Sequence, residues 1–167
     1  MVQIGQRAGR DIVALISDMN QPLGHAVGHA LEVREAIDTL KGGGPADFRE
    51  HCLEVGAHML LLAGQGSRWT DITQNRKQLA EALNNNQALA KFRDVVIAQD
   101  GDIIYVDQPD KLPRASQVET FSSDRDGYVS QVAADRIARA AFALGAGREK
   151  KGDPIDLAVG LIVNVKV

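Results

Sequence analysis

An α/β chain in two parts is what the sequence predicts, and three observations predict it. Residues 12–16 are a short apolar run of Ile, Val, Ala, Leu and Ile, suited to a strand covered on both faces. Pro22 and Gly24 then break the chain, and Ala30, Leu31, Val33, Ala36, Ile37 and Leu40 recur at helical spacing. Strand, glycine-bearing turn and helix start form the junction at which α/β proteins place ligands. Finally, a turn-rich stretch carrying Gln108, Pro109, Asp110 and Pro113 separates a helical first part from a second part with strand-like alternation, which predicts a smaller α+β unit.

The elements follow in order. Met1, Ile4 and Ala8 have helical spacing, yet no Ser, Thr, Asp or Asn precedes them as a cap, so the first helix reads as one entered in its middle. A helix from about Val27 is stopped by Gly42, Gly43, Gly44 and Pro45, with Glu32 and Glu35 on its early turns, where the helix dipole favours negative charge. The next helix opens at Pro45 or Asp47 and keeps an apolar face of Phe48, Cys52, Val55, Met59 and Leu62. Thr70 or Asp71 caps a helix carrying Ile72, Leu79 and Leu83, and residues 84–86, all Asn, interrupt it before helical spacing resumes over 88–98.

On propensity alone, residues 103–106 read as a short strand. Beyond the linker, 118–122 and 128–132 read as a hairpin around a turn at 123–127, followed by a helix over 134–144 that Gly145 ends in a left-handed conformation. Residues 161–167 form a last apolar strand that stops without a turn; such an edge is one that complete domains cover, so this end too reads as cut.

Composition sets the outer limits. The 167 residues are 44% hydrophobic and 25% charged with a net charge of −3, ordinary for a globular protein. The longest basic cluster is Arg148, Lys150 and Lys151, which points to neither nucleic acid nor an anionic membrane as partner. No apolar stretch nears the roughly 20 residues of a membrane span, and no signal pattern opens the chain, so the cytoplasm is the expected compartment. The lone cysteine, Cys52, excludes an internal disulfide and reads as a buried, inert thiol. His25 and His29 are four apart on one helix face, but zinc needs three or four ligands and no third is indicated. Gly145, Ala146, Gly147 and Arg148 follow a helix instead of opening one, which suits a helix stop better than an anion loop.

Several longer motifs, in order, resemble one family. SDMNQPLG followed by GHALEVREAIDTLKGGGP, then HCLEVGAHMLLLAG, AKFRDVVIAQDG, DGYV, ALGAGR and DLAVG are similar to the pyrimidine-nucleoside phosphorylases and the related thymidine phosphorylases, over essentially the whole chain. The resemblance implies the C-terminal part of a phosphorylase α/β domain over 1–106, a linker over 107–114, and an incomplete C-terminal domain of barrel-sandwich type over 115–167. That last shape is similar to biotinyl and lipoyl carriers, but Lys166, flanked by Val165 and Val167, does not sit at a hairpin tip as a modified carrier lysine does.

The resemblance also implies a pentosyltransferase that takes a pyrimidine nucleoside and phosphate to free base and pentose 1-phosphate, and a homodimer for the full enzyme. A thymidine-restricted phosphorylase and an inactive, non-catalytic module are the alternatives. The family's phosphate- and nucleoside-binding groups lie upstream of Met1, so no catalytic or substrate-binding residue is carried over to this chain. One functional set does map here. The resemblance implies a potassium ion held by main-chain oxygens of Leu23 and Ala26 and by the carboxylate of Glu35, with further ligands from the phosphate-binding loop outside the chain. Carbonyl oxygens and one carboxylate suit a large monovalent cation whose hydration shell they replace; without the ligands from outside the chain, the ion is expected to be held weakly or not at all.

Overall fold

A computed structural model describes residues 1–64 and 69–167. Helices dominate: α1 (Val2–Arg7), α2 (His29–Leu40), α3 (Ala46–Gly64), α4 (Ile72–Asn84), α5 (Gln87–Ala98), α6 (Ile104–Asp107) and α7 (Ala134–Ala141). A single 3₁₀ turn, Pro109–Lys111, follows α6, and one wide helical turn, Phe142–Ala146, extends α7. Two short strands, β1 (Ala26–Val27) and β2 (Leu161–Ile162), pair antiparallel with Ala26 opposite Ile162 and Val27 opposite Leu161. Among the described residues this is a small, mostly helical fold with one two-stranded sheet. That agrees with a phosphorylase C-terminal portion at the level of class, and the barrel-sandwich form is not seen.

The helical part forms for the reasons its sequence suggests. α2 buries Ala30 and Ile37 on the β1 side and also buries Thr39, whose hydroxyl donates to the Glu35 carbonyl at 2.8 Å and so carries no unmet polar group inward. Asp71 caps α4, its side chain accepting the Gln74 N–H at 2.7 Å. Asn86 takes the left-handed conformation (φ 63°) that separates α4 from α5. Gly145 (φ 105°) ends the α7 turn as expected for a left-handed stop.

α3 and α4 make the most extensive helix pair, and their packing corrects the expected face of α3. Leu53, Ala57 and Gly64 are buried, whereas Cys52 is exposed and Met59 is 65% exposed. α3 is apolar around much of its circumference, so periodicity leaves the contact stripe open. The small residues decide it: a Cβ at Gly56 would lie 2.9 Å from Leu79 Cδ1, so α4 seats where α3 offers the least bulk. Asn75 of α4 is buried in that seam, its amide donating to the carbonyls of Ala57 (3.3 Å) and Trp69 (3.2 Å).

Four strand expectations fail, two of them for the lack of a partner. Residues 12–16 are unpaired and without regular structure, and Ile16 is fully exposed; strand propensity without a neighbouring ladder does not make a strand. In the expected hairpin only the turn forms, Ser123 Oγ accepting the Arg125 N–H at 3.3 Å, while 118–122 and 128–132 do not pair. An isolated two-stranded hairpin is marginal in water. Residues 104–107 are helical instead of extended because Asp102 accepts the Ile104 N–H at 2.9 Å and Val106 is buried by the turn that this starts. The last strand pairs only at Leu161 and Ile162, because the facing segment leaves the extended region at Gly24 (φ +70°).

The C-terminal residues close over the α2 entrance. The Ala30 N–H donates to the Leu157 carbonyl at 3.1 Å, and the Ala134 N–H to the Asn20 carbonyl at 2.8 Å. Gly28 (φ +138°) and Gly160 face each other where the two segments cross: a Cβ on Gly28 would sit 2.5 Å from the Val159 carbonyl oxygen. No helix among the described residues is long and apolar enough to cross a membrane.

Candidate functional site

The turn at residues 21–28, between the exposed 12–16 run and α2, is the candidate site. Gly24 has φ +70°, a left-handed conformation that a side chain resists, and a Cβ there would meet Glu35 Oε2 at 2.2 Å. A glycine at this position therefore lets the Glu35 carboxylate lie directly on the turn. Glu35 reaches it from the second turn of α2, and its Oε1 accepts the N–H groups of His25 and Ala26, both at 3.0 Å. Helical periodicity puts the carboxylate back towards the helix entrance, and the N–H groups preceding α2 are the donors it finds. Glu32, one turn nearer the entrance, accepts the Gly28 N–H at 2.9 Å in the same way.

Of the three residues expected to act together, Glu35 and Ala26 are in direct contact through that hydrogen bond, and Leu23 lies three residues upstream with a 45% exposed side chain. Ala26 stands opposite Ile162 while its neighbour His25 accepts the Val163 N–H at 2.8 Å. Antiparallel alternation therefore turns the Ala26 N–H and carbonyl away from β2, on the edge where Glu35 lies. Among the described residues Glu35 takes part in no ion pair. Carbonyl oxygens beside a carboxylate without a cationic partner suit a large monovalent cation in type, as a partial set. His25, Arg34, Glu35 and Asp38 line an open cleft of ≈ 320 Å³ next to the turn.

Sequence reasoning missed the other half of the corner. Lys166 Nζ donates to the carbonyls of Pro22 and Gly24 and pairs with Asp47 Oδ2 at 3.2 Å. Asp47 Oδ2 also accepts the Gly24 N–H at 3.1 Å. Burial pushes the Asp47 carboxyl upward, but the hydrogen bonds from Lys166, Phe48 N–H and Gly24 N–H outweigh it and hold the group below its ordinary value. A lysine 144 residues from its partner Pro22 carries no local signal in the sequence; the alternation Val165, Lys166, Val167 places it on a strand and says nothing of what it meets.

The remaining candidates resolve simply. Cys52 is exposed, which corrects the expected burial, and desolvation pushes its thiol upward, away from thiolate chemistry. His29 Nε2 lies 2.9 Å from the Ala146 carbonyl, which ties α2 to the end of α7.

With this geometry in view, comparison with known proteins is informative. Residues 128–167 match the family model described as the pyrimidine nucleoside phosphorylase C-terminal domain. All 167 residues align with a pyrimidine-nucleoside phosphorylase from Geobacillus stearothermophilus at 50% identity, covering 100% of this chain and 38% of that protein. Over its whole length the chain is similar to pyrimidine-nucleoside phosphorylases. Pyrimidine-nucleoside phosphorylases from Staphylococcus epidermidis and Staphylococcus aureus match over the same 167 residues at 46% and 45% identity, again covering 100% of this chain and 38% of theirs. The chain thus spans 38% of the length of the curated pyrimidine-nucleoside phosphorylases it matches.

Proposed function

We propose that this chain serves as the C-terminal portion of a pyrimidine-nucleoside phosphorylase, a pentosyltransferase that converts a pyrimidine nucleoside and phosphate to free base and pentose 1-phosphate. The observation that carries the reading is 50% identity over the whole chain to a protein of that name. Phosphorolysis needs N–H and cationic donors for phosphate, and donors for the base as negative charge develops on it. In this reading those groups belong to the part of the enzyme that the chain does not span, and its own contribution is the turn at residues 21–28.

There the Leu23 and Ala26 carbonyls and the Glu35 carboxylate would hold potassium. The bound ion would supply a fixed positive charge that orders a neighbouring phosphate-binding loop. Glu35 itself orients the turn through the His25 and Ala26 amides, whether or not a cation is bound. The full enzyme acts in this reading as a homodimer in the cytoplasm.

The test is phosphorolysis of uridine and thymidine in phosphate buffer, read as base release. The 167-residue chain alone is expected to be inactive, and the chain joined to the upstream portion its relatives carry is expected to turn over. In that joined enzyme Glu35→Ala should raise the potassium concentration for half-maximal rate and the KM for phosphate, each about tenfold. Turnover by the isolated chain, or superimposable potassium titrations of Glu35→Ala and parent, would overturn the respective assignment.

A further inference from the structure

Residues 161–167 run antiparallel along residues 21–27 in one continuous register. Leu161 faces Val27, Ile162 faces Ala26, the Val163 N–H donates to the His25 carbonyl at 2.8 Å, and the Val167 N–H donates to Gln21 Oε1 at 3.1 Å. Backbone pairing stops after His25, because Gly24 at φ +70° leaves the extended region. At that gap a side chain takes over from the ladder. The Lys166 ammonium has three donors, and three acceptors meet it: the Pro22 carbonyl, the Gly24 carbonyl and the Asp47 carboxylate. Since Asp47 also accepts the Gly24 N–H, one ion pair grips both sides of the Gly24 backbone.

We propose that Lys166 is a positioning residue for the turn that carries Leu23, Ala26 and Glu35. Its ammonium, balanced by Asp47, locks the Pro22 and Gly24 carbonyls so that the rest of the turn is preformed for a monovalent cation. Charge accounting agrees: Asp47 neutralises Lys166, and Glu35, with no ion pair among the described residues, stays available to a second cation. The cation half of this proposal rests on the potassium reading above; the clamp itself stands on the contacts alone.

The experiment is amide hydrogen exchange at fixed ionic strength, on the 167-residue chain in choline chloride and on the chain joined to the upstream portion its relatives carry in choline and then potassium chloride. Lys166→Met keeps the apolar stem and removes the ammonium. In choline it should speed exchange of the Gly24, His25 and Ala26 amides at least tenfold relative to amides of α3 and α4. Asp47→Asn should act on the same amides, and Lys150→Met, which makes an equal charge change at an exposed site, should leave them unchanged. Unaltered turn amides in Lys166→Met, or equal acceleration throughout the molecule in both clamp variants, overturns the positioning role. In potassium chloride the joined parent should show further slowing at the turn, with the half-maximal concentration about tenfold higher in Lys166→Met. A parent that responds identically to choline and potassium while the clamp effect persists removes the cation half alone.

Discussion

Gly28 shows how much a single residue decides here. Its φ of +138° suits no side chain, and a Cβ would press on the Val159 carbonyl oxygen at 2.5 Å and the Gly160 Cα at 2.9 Å. Backbone atoms cannot swing aside as a side-chain tip can. Gly28→Ala should therefore destabilise the chain by about 2–5 kcal/mol, combining backbone strain with overpacking, and urea unfolding gives the figure. A loss below 1 kcal/mol would mean that the two crossing segments separate freely. Gly24 is the contrasting case, since its neighbour is the flexible end of Glu35. Gly24 was visible in the sequence as a chain breaker; that Gly28 faces backbone was not, because it meets Val159 from the far end of the chain, and that Gly24 faces a carboxylate was not, because it depends on how the turn folds back onto α2.

Among the elements, α4 is the one whose limits were most legible, and its cap is open to direct test. Asp71→Ala removes the acceptor for the Gln74 N–H and should cost about 1 kcal/mol. Asp71→Ser, which keeps an acceptor, should recover most of it; equal loss in both variants would show that the cap contributes nothing. Helix limits read well because their signals are local: a cap residue, a glycine after the last turn, a run of Asn. The contact faces read less well. On α3 the apolar residues extend around the helix, and the choice between the Cys52 and the Ala57 side fell to the partner helix. Asn75, a polar residue, is buried because two carbonyls in the α3–α4 seam supply the acceptors its amide needs.

At the scale of the whole molecule, two exposed segments are without regular structure. Residues 116–131 are exposed throughout, and Phe121 and Tyr128 are each 104% exposed. Residues 11–20 are likewise exposed along their length. Limited digestion with trypsin should cut after Arg125 well before it cuts after Arg76 or Lys77 within α4, as read by mass spectrometry of the first fragments. Early cleavage inside α4 would contradict the packing of α3 on α4. The same exposure shows why the strand expectations at 12–16 and in the hairpin failed while helix expectations mostly held. A helix satisfies its own backbone, whereas a strand satisfies half of its groups through a neighbour that must be present.

By itself, then, the sequence determined the helical punctuation, the glycine-bearing turn before α2, and the family resemblance that the whole-chain identity bears out. Only the tertiary structure decided which apolar stripe of α3 is buried, that Glu35 lies on the amides of His25 and Ala26, and that Lys166 and Asp47 grip the Gly24 backbone. The physical division is one of range. Caps, φ preferences and helix periodicity act within about four residues and leave a readable trace, while a charge meeting a carbonyl across the fold leaves none until the chain has folded back on itself.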